Sequence, residues 1–234
     1  MPPKVKMTKE NIVEASLNIV RRDGITKLNA RSVAKELKCS TQPIYSFYAT
    51  MEALKTDVTK ATNDYFDDYL AERISRQEST SPYGASGLAY IQFAKDEKEL
   101  FKLLFMQDNI YAREWEKAHS YQIEMVKAAT GLSKDNAKKF HLQMWTFVHG
   151  IATFFATSYL SISDEIINEL MTRTSFTMLE TYTKGREVKK KIMSCTKCGI
   201  QLVDSKLSDS YEKTLNTFDN DKEPIYSIYH CFHM

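Results

Sequence analysis

The sequence predicts an all-α protein, and three observations carry that prediction. Apolar residues recur mostly at three- and four-residue steps, the spacing of a single helix face. Only seven glycines and five prolines punctuate the chain, so few positions force a break. Hydrophobic residues make up 43% and aromatic residues 12% of 234 positions, enough for helices to bury a core against one another.

The elements follow in chain order. Thr8 can cap a first helix running to about Arg22, with Ile12, Leu17, Ile19 and Val20 as its apolar side and Gly24 as its stop. Asn29 can cap a short second helix whose Val33, Ala34 and Leu37 face inward while Arg31, Lys35 and Lys38 face out. A tight turn at Lys38-Cys39-Ser40 leads to a third helix, with Ser40 as expected N-cap and Cys39 as a small buried residue. Pro43 then falls in a first turn, where the backbone N–H has no partner to lose. Ile44 and Phe47 are expected to bury against the first two helices, with Tyr45 and Tyr48 to one side, their hydroxyls within reach of backbone phosphates. Ser40, Thr41 and Gln42 are small or carry polar groups suited to base edges. Three short helices with a brief turn between the last two form the helix-turn-helix pattern. Tri-helical cores with no DNA role share that spacing.

From Thr50 a long helix is expected to about Ser75, with Met51, Leu54, Val58, Ala61, Tyr65 and Tyr69 on one stripe. The stretch STSPYGASG, 79–87, reads as a break. Two further helices follow, the second starting at Asp96, and then helices over 108–129, 134–160 and 164–184. Residues 140–163 contain no Asp, Glu, Lys or Arg, yet ten of them are His, Gln, Thr, Ser or Gly. That is too polar for a bilayer span and suits a helix buried against protein, so an interface helix is expected and no membrane partner.

Charge divides unevenly along the chain. Residues 1–60 carry +5 and the remainder −3, for a net +2. The excess points to a polyanion partner for the first segment, with a solvated basic face as the bland alternative. No secretory h-region is visible in MPPKVKMTKENIVEAS, so a cytoplasmic location is expected. No phosphate-cradling glycine loop, Gly-x-Ser-x-Gly elbow or His-Glu-x-x-His run occurs, so catalysis is not expected.

The run LNARSVAKELKCSTQPIYSFYATMEAL resembles the N-terminal signature of TetR-family transcriptional regulators. The resemblance implies a helix-turn-helix DNA-binding domain over residues 1–55, joined by a long helix to an antiparallel helical-bundle body. It places Asn29 and Tyr45 where the family contacts phosphate, and Arg31, Thr41 and Gln42 where it can read bases. Trp145, His149 and Gly150 form a W-x-x-x-H-G run similar to the C-terminal domain variant named for those residues. On that likeness, residues 56–190 form a ligand-binding and dimerisation domain, whose last two long helices pair with their twins in a homodimer. Two departures stand out: Lys38 occupies a turn position where the family usually has Gly, and Met51 stands where it has a phosphate-binding Lys. Lys55, or the arm residues Lys4 and Lys6, are the substitutes the sequence offers. His149 is expected as a core or interface residue hydrogen-bonded within the bundle.

A TetR-like body implies an apolar pocket. Tyr90, Phe93, Phe105, Met106, Trp115, Met125 and Met144 recur at helical spacing and are the expected lining for a small hydrophobic or aromatic effector. The implied function is a ligand-responsive regulator, a repressor, binding a double-stranded pseudo-palindromic operator. A typical member of the family would end near Lys190; residues 191–234 are an extension. Two readings stand for it: a disordered tail with reduced thiols, or a small ribbon around zinc held by Cys195, Cys198, Cys231 and His233. The second reading carries an alternative function, a metal- or thiol-responsive regulator.

Overall fold

The computed structural model describes residues 7–76, 81–107 and 115–183, with side chains in the last stretch from residue 117. Among the described residues all regular structure is helical, so the all-α expectation holds. The extension after 190, with Cys195, Cys198, Cys231 and His233, lies outside the described residues, as do Lys4 and Lys6.

Helix α1, Lys9–Asp23, starts at a capping box: Asn11 N–H donates to Thr8 Oγ1, and Thr8 N–H donates back to Asn11 Oδ1. It ends at Gly24, whose φ of 82° and ψ of 163° are open essentially to glycine alone. Helix α2, Ala30–Glu36, is capped by Asn29, whose Oδ1 accepts from the Arg31 and Ser32 amides. Lys38 follows with φ 52°, and two backbone bonds close the turn, Cys39 N–H to Ala34 O and Lys38 N–H to Lys35 O. This is a Schellman stop with lysine in the left-handed position where glycine is usual.

Helix α3, Gln42–Phe47, takes Thr41 rather than Ser40 as its N-cap, and Pro43 sits in the first turn without disturbing a hydrogen bond. Ile44 is fully buried, but Phe47 is 44% exposed, contrary to expectation, while Tyr48 is only 3% exposed. The i+4 neighbour of Ile44, rather than the i+3 neighbour, completes the inward face. Helix α4 then runs unbroken over Met51–Arg76, burying Leu54, Val58 and Thr62.

Helix α5, Pro82–Asp96, begins inside the expected break. Ser81 Oγ accepts from the Gly84 amide and Pro82 occupies the first helical position, so local capping starts the helix early. Helix α6 spans Lys98–Phe105. Over 115–130 the chain forms α7, Trp115–Ala118, and α8, Ser120–Thr130, broken at His119, where one helix was expected. Helix α9 covers Lys134–Ala156 and stops when Ser158 adopts φ 56°, with Tyr159 N–H bonded to Phe154 O. Helix α10 covers Asp164–Thr183.

The chain forms two compact units. The first holds Met1–Glu78, Ala85–Trp115 and Thr146–Ile162, and the second Ser79–Gly84, Glu116–Trp145 and Ser163–Met234. The boundary expected at residues 55 and 56 falls within α4. No helix among the described residues is long and apolar enough to cross a membrane.

Candidate nucleic-acid interface and effector sites

In the first unit, Ile12, Ile19, Val20, Val33, Ile44 and Leu54 are buried to within 1% and close the head's core. That closure turns the start of α3 outward. Arg31, Ser40, Gln42 and Tyr45 are exposed, Tyr45 to 52%, and Thr41 is half-buried. Asn29 lies at the exposed start of α2, with its amide already engaged: Oδ1 caps the helix and Nδ2 donates to Lys27 O. Lys55 is partly exposed, 3.8 Å from Glu52.

Tyr48 requires a correction. Its hydroxyl donates to Asp57 Oδ2 at 2.9 Å instead of pointing to solvent. Lys9 Nζ lies 2.6 Å from the same oxygen and 5.0 Å from the Tyr48 ring centroid. Burial, and then the neighbouring Asp57, push the phenol well above its ordinary range, while the bonds from Lys9 and Tyr48 hold Asp57 low. Cys39 is half-buried, its thiol donating to Ser40 O.

Glu97 stands at the α5–α6 joint. Its Oε2 accepts from Arg21 Nε and its Oε1 from the Tyr65 hydroxyl, both at 2.9 Å, and the Arg21 guanidinium lies 5.0 Å from the Tyr65 ring centroid. One residue earlier, Asp96 Oδ2 accepts from Tyr69 at 2.6 Å and from Arg73 at 3.0 Å. Two carboxylates in sequence thus clasp two Tyr–Arg pairs and tie α1 and α4 to the joint.

The expected effector residues divide between the units. In the first, Tyr90, Phe93 and Phe105 join Phe66 and Phe101 in a mesh of tilted and edge-to-face rings with centroids 4.9–5.9 Å apart. The Tyr90 hydroxyl meets His149 Nδ1 at 2.9 Å, the intramolecular hydrogen bond expected for His149. Met106 is 40% exposed. In the second unit Met144 is 2% exposed and Met125 half-buried. The Trp115 side chain lies outside the described residues.

Sequence reasoning missed a polar chain in the second unit. Tyr83 Oη meets His141 Nδ1 at 3.0 Å, and His141 Nε2 meets His119 Nδ1 at 2.9 Å. The His119 ring packs edge-on to Trp145, with centroids 5.4 Å apart. Desolvation lowers His119 to about 4 and, with the neighbouring His119, His141 to about 3, so both imidazoles are neutral near pH 7. Three residues from separate elements make the chain, and no local spacing announces it. Among the described residues no group of three His, Cys, Asp or Glu could hold a metal ion.

Residues 84–175 match the family model described as Tetracyclin repressor-like, C-terminal domain. The match supports a TetR-like family and spans α5 into α10; residues before 84 lie outside it. A solved structure, described as that of a protein with unknown function from Rhodococcus sp. RHA1, shares the fold of this chain. It aligns with a TM-score of 0.58 at 20% identity, covering 78% of this chain and 99% of that one. No curated protein matches.

Proposed function

We propose that this chain is a ligand-responsive transcriptional repressor that binds a pseudo-palindromic operator as a homodimer, each subunit laying residues 40–48 in a major groove. The observation that carries the reading is the exposed face of Arg31, Gln42 and Tyr45 over a core that Ile44 closes from beneath. Exposed polar groups at a helix start suit base edges, and the basic head supplies attraction to phosphate. The TetR-like body supports a regulated rather than constitutive binder. An effector lowers operator affinity by its differential affinity for two body shapes.

Gly150 supports pairing through α9. A Cβ built there meets nothing within 4 Å inside the protomer, so internal packing does not recover the roughly 1 kcal/mol that a helical glycine costs. Close approach of a second copy would.

Selection of bound duplexes from a random pool, followed by titration at two salt concentrations, tests the DNA reading. Arg31→Ala should relax sequence preference at one base position, at a cost of about 1–3 kcal/mol. Tyr45→Phe should weaken binding to all sequences alike. A monomeric protein with no salt-sensitive affinity for duplex DNA would end the reading.

A further inference from the structure

We propose that Phe47 reads thymine: its ring packs against the C5-methyl group of a thymine in the major groove and so specifies one base of each operator half-site. The inference rests on the operator reading above and deepens it by naming a base and the residue that selects it.

Phe47 is 44% exposed because the inner face of α3 is already filled by Ile44 and by Tyr48 four residues on, at 0% and 3% exposure. With successive residues about 100° apart around a helix, Tyr45 and Phe47 stand about 80° to either side of that inner line. They occupy opposite flanks. Gln42 and Ser46, both exposed, lie on the outer arc between them. Ser46 Oγ donates to Gln42 O at 3.1 Å, so that hydroxyl is engaged by the backbone of its own helix. The outer surface of α3 therefore presents the Gln42 amide between two aromatic flanks.

The flanks differ in chemistry. Tyr45 carries a hydroxyl that can donate to a phosphate oxygen, whereas the side chain of Phe47 has no polar atom. In the major groove base pairs present donors, acceptors and one apolar group, the thymine methyl. A phenyl ring laid over a donor or an acceptor would strip it of water and return no hydrogen bond. The methyl group is the base-edge feature that the ring complements, and their contact removes apolar surface of both from water. Charge favours the same partner. Residues 1–60 carry +5, and over residues 37–51 Lys38 is the one charged residue, so α3 brings no carboxylate against an approaching phosphate.

The test takes the full chain and a duplex selected from a random pool, and replaces each thymine in turn by deoxyuridine, which keeps the O4 acceptor and the pairing edge and lacks only the methyl. At one thymine of each half-site the exchange should weaken binding about fourfold, and about fifteenfold when both half-sites are changed. The same exchange should cost Phe47→Ala nothing, and selection with that variant should lose the thymine. Phe47→Gln, which also lacks an apolar ring, repeats the comparison if Phe47→Ala does not fold, and the uracil scan of the unaltered protein needs no variant at all. A bound duplex insensitive to uracil at every thymine overturns the proposal and leaves the operator reading standing. A uracil penalty that persists in both variants overturns it too, since another residue would then hold the methyl. Phe47→Ala that weakens all sequences alike, with no change of preference, assigns the ring to the sugar–phosphate backbone and likewise overturns it. Absence of any salt-sensitive affinity for duplex DNA removes the operator reading and this inference with it.

Discussion

Tyr48 donates its hydroxyl to Asp57 nine residues on, at 2.9 Å, and so ties the end of α3 to the second turn of α4. The bond fixes the angle at which the start of α3 is presented. Because the acceptor is charged and Lys9 shares it, Tyr48→Phe should destabilise the head by about 1–2 kcal/mol. Its effect on DNA affinity should vanish once folding is complete. Tyr45→Phe should do the opposite, leaving the denaturation midpoint unchanged and weakening DNA. Chemical denaturation alongside duplex titration of both variants checks the pair; a Tyr48→Phe head of full stability but reduced affinity would contradict the burial argument.

Lys38 holds φ 52° at the α2 stop. A left-handed backbone strains every residue with a Cβ, whereas glycine adopts it freely. Lys38→Gly should therefore raise stability by about 0.5–1 kcal/mol, even though the glycine loosens the unfolded chain. A lower urea midpoint would show that the lysine side chain supplies something the backbone argument omits.

Glu97 uses both carboxylate oxygens, one on Arg21 and one on Tyr65, and its side chain is 12% exposed. Glu97→Ala leaves a guanidinium and a phenol without their acceptor and should cost about 2 kcal/mol. Glu97→Gln retains an acceptor and should cost about half as much. Gly24→Ala, beside the same joint, forces a Cβ into a glycine-only conformation and should cost about 1–3 kcal/mol. Thermal unfolding of the three variants ranks them; equal effects of Ala and Gln at position 97 would mean that the carboxylate contributes packing alone.

The buried histidine pair sets a direction for pH dependence. Burial depresses both folded values, from 6.5 to about 4 for His119 and to about 3 for His141. Below pH 6.5 the unfolded chain takes up protons that the folded pair refuses, so stability rises with pH across that window and falls as the solution is acidified from 6.5 toward 4. His119→Gln removes one of these groups and should flatten the slope. Urea midpoints at about pH 7 and about pH 5 measure it, and a steeper loss in the variant would reverse the assignment.

Much of the architecture was legible from local chemistry. Thr8, Asn29 and Gly24 placed their helix ends because a cap or a glycine stop acts over three or four residues. The ends that went astray had other local causes: Ser81 and Pro82 started α5 within the expected break, and Ser158 stopped α9 early. The candidate sites were less legible. Tyr45 is exposed, as its flank on α3 suggested, but its neighbours Phe47 and Tyr48 exchanged the roles expected of them. Periodicity shows that an inward face exists; it does not choose between residues three and four places from Ile44. Asp57 and Lys9 made that choice.

By itself the sequence determined the helical character of the chain, its basic head, and the outward Arg31 and Gln42, because propensity, capping and charge are properties of short segments. Only the tertiary structure decided which polar groups became internal. Tyr83 meets His141 across 58 residues, and His141 meets His119 across 22. A buried imidazole is tolerated where a partner arrives from a distant part of the chain, and the packing of helices alone determines which partner that is.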